Sequence, residues 1–188
     1  MKCYHELKCA ELDIIQKEVL TWLNERYDLS DQNSLQTDLW LKIDYKDLIR
    51  NTPTLVKWVK ELKLVLREIS VTVVNNIDGA HLHIDELPIV AKINIPILNY
   101  KYVVNEWYSV PEELLSQYLI TNKFGSQYHD LTKLDIKKCT LLGSIIPVSP
   151  IVFNSQIAHR VIPQQQAMFP RVMLSCMFFN EPVNYLND

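Results

Sequence analysis

Glycine is nearly missing from this chain: 188 residues hold three, Gly79, Gly125 and Gly143. No two stand close enough to build G-x-G-x-x-G or G-x-x-x-x-G-K-[ST], which excludes both glycine-rich phosphate cradles. Excess positive charge is missing too. The chain has 19 basic and 22 acidic side chains and a net charge of −3, so bulk attraction to a phosphate backbone is not its design. Four cysteines are present (Cys3, Cys9, Cys139 and Cys176) but no C-x-x-C pair, which leaves a zinc ribbon or a thioredoxin motif without support. No apolar run approaches the ~18–20 residues of a membrane span. The opening stretch MKCYHELKCAELD carries charges where a secretory signal needs an apolar core. A reducing, cytoplasmic setting with free thiols is expected, with neither a membrane nor nucleic acid as partner.

What remains is an ordinary globular composition, 48% hydrophobic and 22% charged, long enough for a single core. One domain is expected over residues 1–188. Its first part, 1–67, reads as helical. Leu12, Ile15, Val19, Trp22 and Leu23 recur at spacings of three and four within Cys9–Tyr27, drawing one apolar stripe. A polar loop, Asp28–Asp38, follows. A second helix is expected to start at Thr52-Pro53, threonine as N-cap and proline at the first helical position. From Glu68 the pattern changes to short β-branched runs: Ile69–Val74, Pro88–Leu98, Tyr100–Val110, Thr140–Ile146, Pro150–Phe153, Ala158–Pro163 and Arg171–Phe179. One short helix, Pro111–Tyr118, interrupts them. Helices followed by seven or so strands predict an α+β chain whose working part is a β-sandwich or barrel.

Within that part lies His83-Ile84-Asp85. In extended chain, residues i and i+2 project from one face, so the imidazole and the carboxylate can converge on a point. His159 supplies a third candidate ligand, and two histidines with one carboxylate form the facial set of non-haem iron(II) oxygenases, which leaves positions open for substrate and dioxygen. A structural zinc site would close its coordination with four protein ligands. Arg171 follows His159 across the turn Pro163–Pro170, a separation that suits antiparallel neighbours. An arginine on an inward face needs an anion, and its planar fork takes a carboxylate in bidentate fashion. Along that strand Arg171, Met173, Ser175 and Met177 share one face, and Val172, Leu174, Cys176 and Phe178 share the other, the expected core face.

His83-x-Asp85, His159 and Arg171, in that order, resemble the 2-oxoglutarate- and Fe(II)-dependent oxygenases, in particular the small prolyl-hydroxylase-like and aspartyl/asparaginyl-hydroxylase-like members. The flanking segments HLHIDELPIVAKINIPILN and IVFNSQIAHRVIPQQQAMFPRVMLSCMFF carry the likeness over roughly 68–180. The resemblance implies a double-stranded β-helix (a jelly-roll, cupin-like barrel) with N-terminal supporting helices. It also implies Fe(II) on His83, Asp85 and His159, with 2-oxoglutarate as cosubstrate on Arg171. The expected activity is that of a dioxygenase hydroxylating a protein side chain or a small amino-acid-like substrate, with succinate and CO2 released. Many members place a serine two residues after the arginine; here that position is Met173, and Ser175 is the serine that would assist. Asn94, which shares a face with Lys92, and Tyr108 are further candidates to hold 2-oxoglutarate. The alternative is a cupin-type metal- or ligand-binding barrel, suggested by His81-x-His83 with Glu86 nearby. His129-Asp130 reads as a solvated loop pair, and Trp107 as either core or a substrate contact.

Overall fold

The computed structural model describes residues 1–29, 40–41, 43–86, 89–121 and 127–187. Most of the predicted polar loop 28–38 lies outside them, as do Pro88 and Gly125. Within these residues twelve short strands and four α-helices follow in the order β1 (Tyr4–Glu6), α1 (Leu12–Asn24), β2 (Trp40–Leu41), α2 (Tyr45–Asn51), α3 (Pro53–Glu61), β3 (Leu66–Val74), β4 (Ala80–Ile84), β5 (Ala91–Leu98) and β6 (Val103–Ser109). Then come α4 (Glu112–Leu115), β7 (Leu119–Thr121), β8 (Gln127–Asp130), β9 (Thr140–Ile145), β10 (Ile151–Asn154), β11 (Ala158–Pro163) and β12 (Arg171–Phe178).

The strands form two six-stranded sheets, ordered β1-β10-β5-β12-β3-β2 and β7-β8-β4-β11-β6-β9, with antiparallel pairing throughout. From β3 to β6 the chain crosses between sheets at every step, and from β9 to β12 it does so again. The result is a mixed α+β chain built on an antiparallel β-sandwich of jelly-roll kind. Among the described residues, no helix is long and apolar enough to cross a membrane.

The first sheet is apolar on its outer face because β3, β5 and β12 alternate. Val71, Val73, Ile93, Ile95, Val172, Leu174, Cys176 and Phe178 pack there with Ile15, Val19, Trp22 and Leu23 of α1 and with Leu55, Trp58 and Val59 of α3. The helices therefore share a core with the sheet, as the N-terminal stripes predict. Asp47 ties two of them together, accepting from Trp22 Nε1 at 2.8 Å and pairing with Arg26 at 2.9 Å. Proline at the first position of α3 holds as predicted, but Thr52 does not cap that helix. Its hydroxyl donates backwards to the Leu48 carbonyl, 2.9 Å away, finishing α2 instead. Trp40 sits in a strand rather than in a helix.

The second sheet has its own outer cluster, Leu82, Ile84, Tyr108 and Ala158 with Leu131 and Leu134. His129-Asp130, expected as a loop pair, belongs to β8, where Asp130 is the register partner of His83. Gly79 ends the turn before β4 with φ at +68°. A Cβ there would lie 2.1 Å from the Val161 carbonyl oxygen of β11, so glycine is required on two counts.

Candidate metal centre and its cavity

Alternation that turns Val172 and Leu174 outward turns Arg171, Met173 and Ser175 inward. The same rule on β5 turns Asn94 inward, and on β6 it turns Asn105 and Trp107. These side chains line one cavity between the sheets, together with His83, Asp85 and His159. Its volume is about 70 Å³, room for about two waters at their ~30 Å³ share of liquid volume.

At one end sit the three predicted ligands. His83 and His159 face each other as register partners on β4 and β11, ring centroids 4.4 Å apart. Between Ala80 and His83, β4 carries one more residue than β11 does between Val161 and His159. This bulge brings Ala80 and His83 to the cavity and leaves His81 exposed, a common device beside functional sites. Asp85 follows β4 and is fixed by its backbone, its N–H donating to the Ser155 carbonyl at 3.1 Å. One ligand atom from each of His83, Asp85 and His159 lies within 4.8 Å of the others. His81 and Glu86 do not join this group.

The tautomers suit a cation. His83 Nδ1 donates to the His81 carbonyl at 2.8 Å, and His159 Nδ1 donates to the Ile157 carbonyl at 2.9 Å. A carbonyl can only accept, so each Nδ1 carries a hydrogen, which leaves Nε2 as the nitrogen a metal would use once any proton on it is displaced. Both Nε2 atoms turn toward Asp85, at 3.5 Å for His83 and 4.0 Å for His159. Burial and the charge of His83 push the His159 pKa down to about 4, so this imidazole is neutral and available as a ligand near pH 7. Burial also opposes a charge on His83, but the hydrogen bond and charge of Asp85 outweigh it and hold that imidazole above its ordinary value. For Asp85, burial alone would raise the carboxyl; the Lys92 charge and the His83 hydrogen bond reverse this and hold it far below the usual range. Lys92, buried on β5, places its ammonium 2.7 Å from Asp85 Oδ2.

At the other end is Arg171, 3% exposed. It donates to Asn105 Oδ1 at 3.3 Å, and its Nε has no partner among the described residues. Burial pulls its pKa down to about 10, which leaves it a cation at neutral pH. Among the described residues Asn94 Oδ1 and Trp107 Nε1 are also buried without a partner, and both belong to this cavity. Buried polar atoms left unpaired cost roughly 1–3 kcal/mol each, and three around one space mark it as built for a polar guest.

Of the residues named from the sequence, His83, Asp85, His159, Arg171, Ser175 and Asn94 come together here. Tyr108 does not. It lies on the outward face of β6, its hydroxyl bonded to Glu106 and to Arg160, with its ring in the outer cluster. The expected pairing of His159 with Arg171 on neighbouring strands is also corrected. β11 and β12 belong to different sheets, and the two residues meet across the cavity. Asn105 and the ion pair of Lys92 were not singled out from the sequence; both follow from strand alternation once the inward face is known.

No protein-family model and no curated protein matches the sequence. In shape, the chain is similar to the crystal structure of AviO1 from Streptomyces viridochromogenes Tue57. The TM-score is 0.50 at 11% identity, over 93% of this chain and 88% of that one. At that identity the likeness speaks for the fold.

Proposed function

We propose that this chain is a 2-oxoglutarate- and Fe(II)-dependent dioxygenase whose eight strands β3–β6 and β9–β12 form a double-stranded β-helix. The observation that carries the reading is a single cavity with a three-ligand group at one end and a buried, under-bonded arginine at the other. The donor set fits iron. It offers two imidazole nitrogens and one carboxylate, and no fourth His, Cys, Asp or Glu among the described residues joins them, so positions stay open. The cavity also fits a dicarboxylate. With a divalent ion present, the metal, Lys92 and Arg171 carry more positive charge than the one carboxylate, Asp85, offsets, and a dianion would neutralise most of the excess.

When bound, iron and 2-oxoglutarate supply the oxidation of a substrate C–H bond by dioxygen, with release of succinate and CO2. The chain does the rest. His83, Asp85 and His159 would hold the metal, and the carbonyls of His81 and Ile157 keep both rings in the ligating tautomer. Arg171 would take the far carboxylate, steadied by Asn105, while Ser175, Asn94 and the Trp107 N–H line the space between. Phe153, packed edge-on against His159 at 5.4 Å, and Met173 keep water out. The substrate we infer is a protein side chain or a small amino-acid-like molecule.

The test is an anaerobic titration of metal-free protein with Fe(II) and 2-oxoglutarate, followed by the weak visible charge-transfer band of the chelate. The band is expected in the wild type and absent in His159→Ala. Arg171→Met is expected to weaken 2-oxoglutarate binding roughly 10- to 100-fold, the worth of a charge-assisted pair. Iron binding without the band would leave a metal-binding barrel and overturn the cosubstrate.

A further inference from the structure

In the reading above Lys92 serves only by its charge, and its position has no task. Its ammonium is buried on the inward face of β5 and sits 2.7 Å from Asp85 Oδ2, while Oδ1 faces His83 Nε2 at 3.5 Å. An ammonium has three donors and no acceptor, so it cannot ligate a metal. It repels a divalent ion held a few ångströms away. A cation placed at such cost to metal affinity points to a task beyond neutralising Asp85.

We propose that Lys92 is a positioning residue that sets how Asp85 binds the metal: by occupying Oδ2 it leaves Oδ1 as the single ligating oxygen and keeps a coordination position free for the cosubstrate. This rests on the metal centre proposed above. A carboxylate with both oxygens free can chelate a divalent ion through both. Chelation would consume the position that an oxygenase has to keep open. The backbone of Asp85 is anchored to Ser155, so the side chain torsion is the remaining freedom, and the ammonium removes it.

The experiment loads wild type, Lys92→Met and Lys92→Gln with Co(II) and reads metal affinity, the visible d–d spectrum and 2-oxoglutarate affinity by calorimetry. Lys92→Met is expected to bind Co(II) about tenfold more tightly, because a nearby positive charge is gone. Its band should weaken as Asp85 chelates and coordination number rises, and its 2-oxoglutarate affinity should fall about tenfold for want of an open position. Lys92→Gln keeps an N–H for Oδ2 without the charge. It should bind Co(II) more tightly yet keep the wild-type spectrum, and it carries the test should Lys92→Met not fold. If Lys92→Met changes only the melting temperature, leaving spectrum and cosubstrate affinity alone, Lys92 is a counter-ion and the inference is overturned. Failure of the wild type to take up Co(II) is a separate result, and it overturns the metal centre itself.

Discussion

Two imidazoles in contact at the metal end titrate in opposite directions, and this gives the metal-free protein a recognisable pH profile. In the unfolded chain both take a proton near 6.5. Folded His159 refuses it until about 4, so between those values the unfolded state binds more protons, and stability falls as pH falls, by up to about 3 kcal/mol. His83 runs the other way. Its raised value adds stability that is fully present below 6.5 and is lost as pH rises through the folded pKa. The two effects meet, so resistance to urea is expected to peak near pH 6.5 within the range 4 to 8. His159→Asn should flatten the acid side. A wild-type urea midpoint unchanged from pH 6.5 to 4 would mean that His159 is protonated in the fold. The candidate ligands His83 and Asp85 were legible in the sequence because residues i and i+2 of extended chain project from one face. The Lys92 ion pair was not, since a lysine sharing a face with Asn94 looks the same whether its partner is water or Asp85.

Among the elements, β12 carries most of the argument, and its alternation was readable residue by residue. Val172, Leu174, Cys176 and Phe178 do enter the helix-facing core, while Arg171, Met173 and Ser175 face the cavity. Leu174→Ala is therefore expected to cost about 2–5 kcal/mol in a urea melt while leaving metal affinity within a few-fold of wild type. Cys176 is wholly buried, with its thiol pushed up to about 12. It should be the last of the four cysteines to react with iodoacetamide under native conditions, and a fast Cys176 would place β12 differently. On β6 the parity was open: Asn105-Glu-Trp-Tyr108 has a polar and an aromatic residue on each face, so periodicity alone could not choose. Packing chose Trp107, stacked on Tyr4 at 5.0 Å, and turned Tyr108 outward to Arg160.

For the whole molecule, strand count and pairing were the least legible. β1 and β2 are only three and two residues long and exist because an edge of a formed sheet offers unpaired groups. The sequence likewise holds no sign of which strand crosses to which sheet, hence the expectation that His159 and Arg171 lie side by side. The shared core of helices and sheet has a direct consequence. A chain beginning at residue 66 would bare Val71, Val73, Ile93, Leu174 and their neighbours, an apolar face without cover. It is expected to be insoluble or to bind a hydrophobic dye strongly, whereas a soluble, dye-silent fragment would show the sheet to be self-sufficient.

Gly79 works as a spacer of zero width. The turn before β4 leans on the Val161 carbonyl with no room for a methyl group, and Val161 belongs to the strand that carries His159, as the turn leads to the strand that carries His83. A side chain at that point would act as a wedge between the two ligand-bearing strands, with the bulge ahead of His83 as the nearest slack. Gly79→Ala is therefore expected to lower the melting temperature and, together with it, the uptake of a divalent ion by the His83, Asp85 and His159 group, so the residue with the least chemistry sets the tolerance of the candidate site.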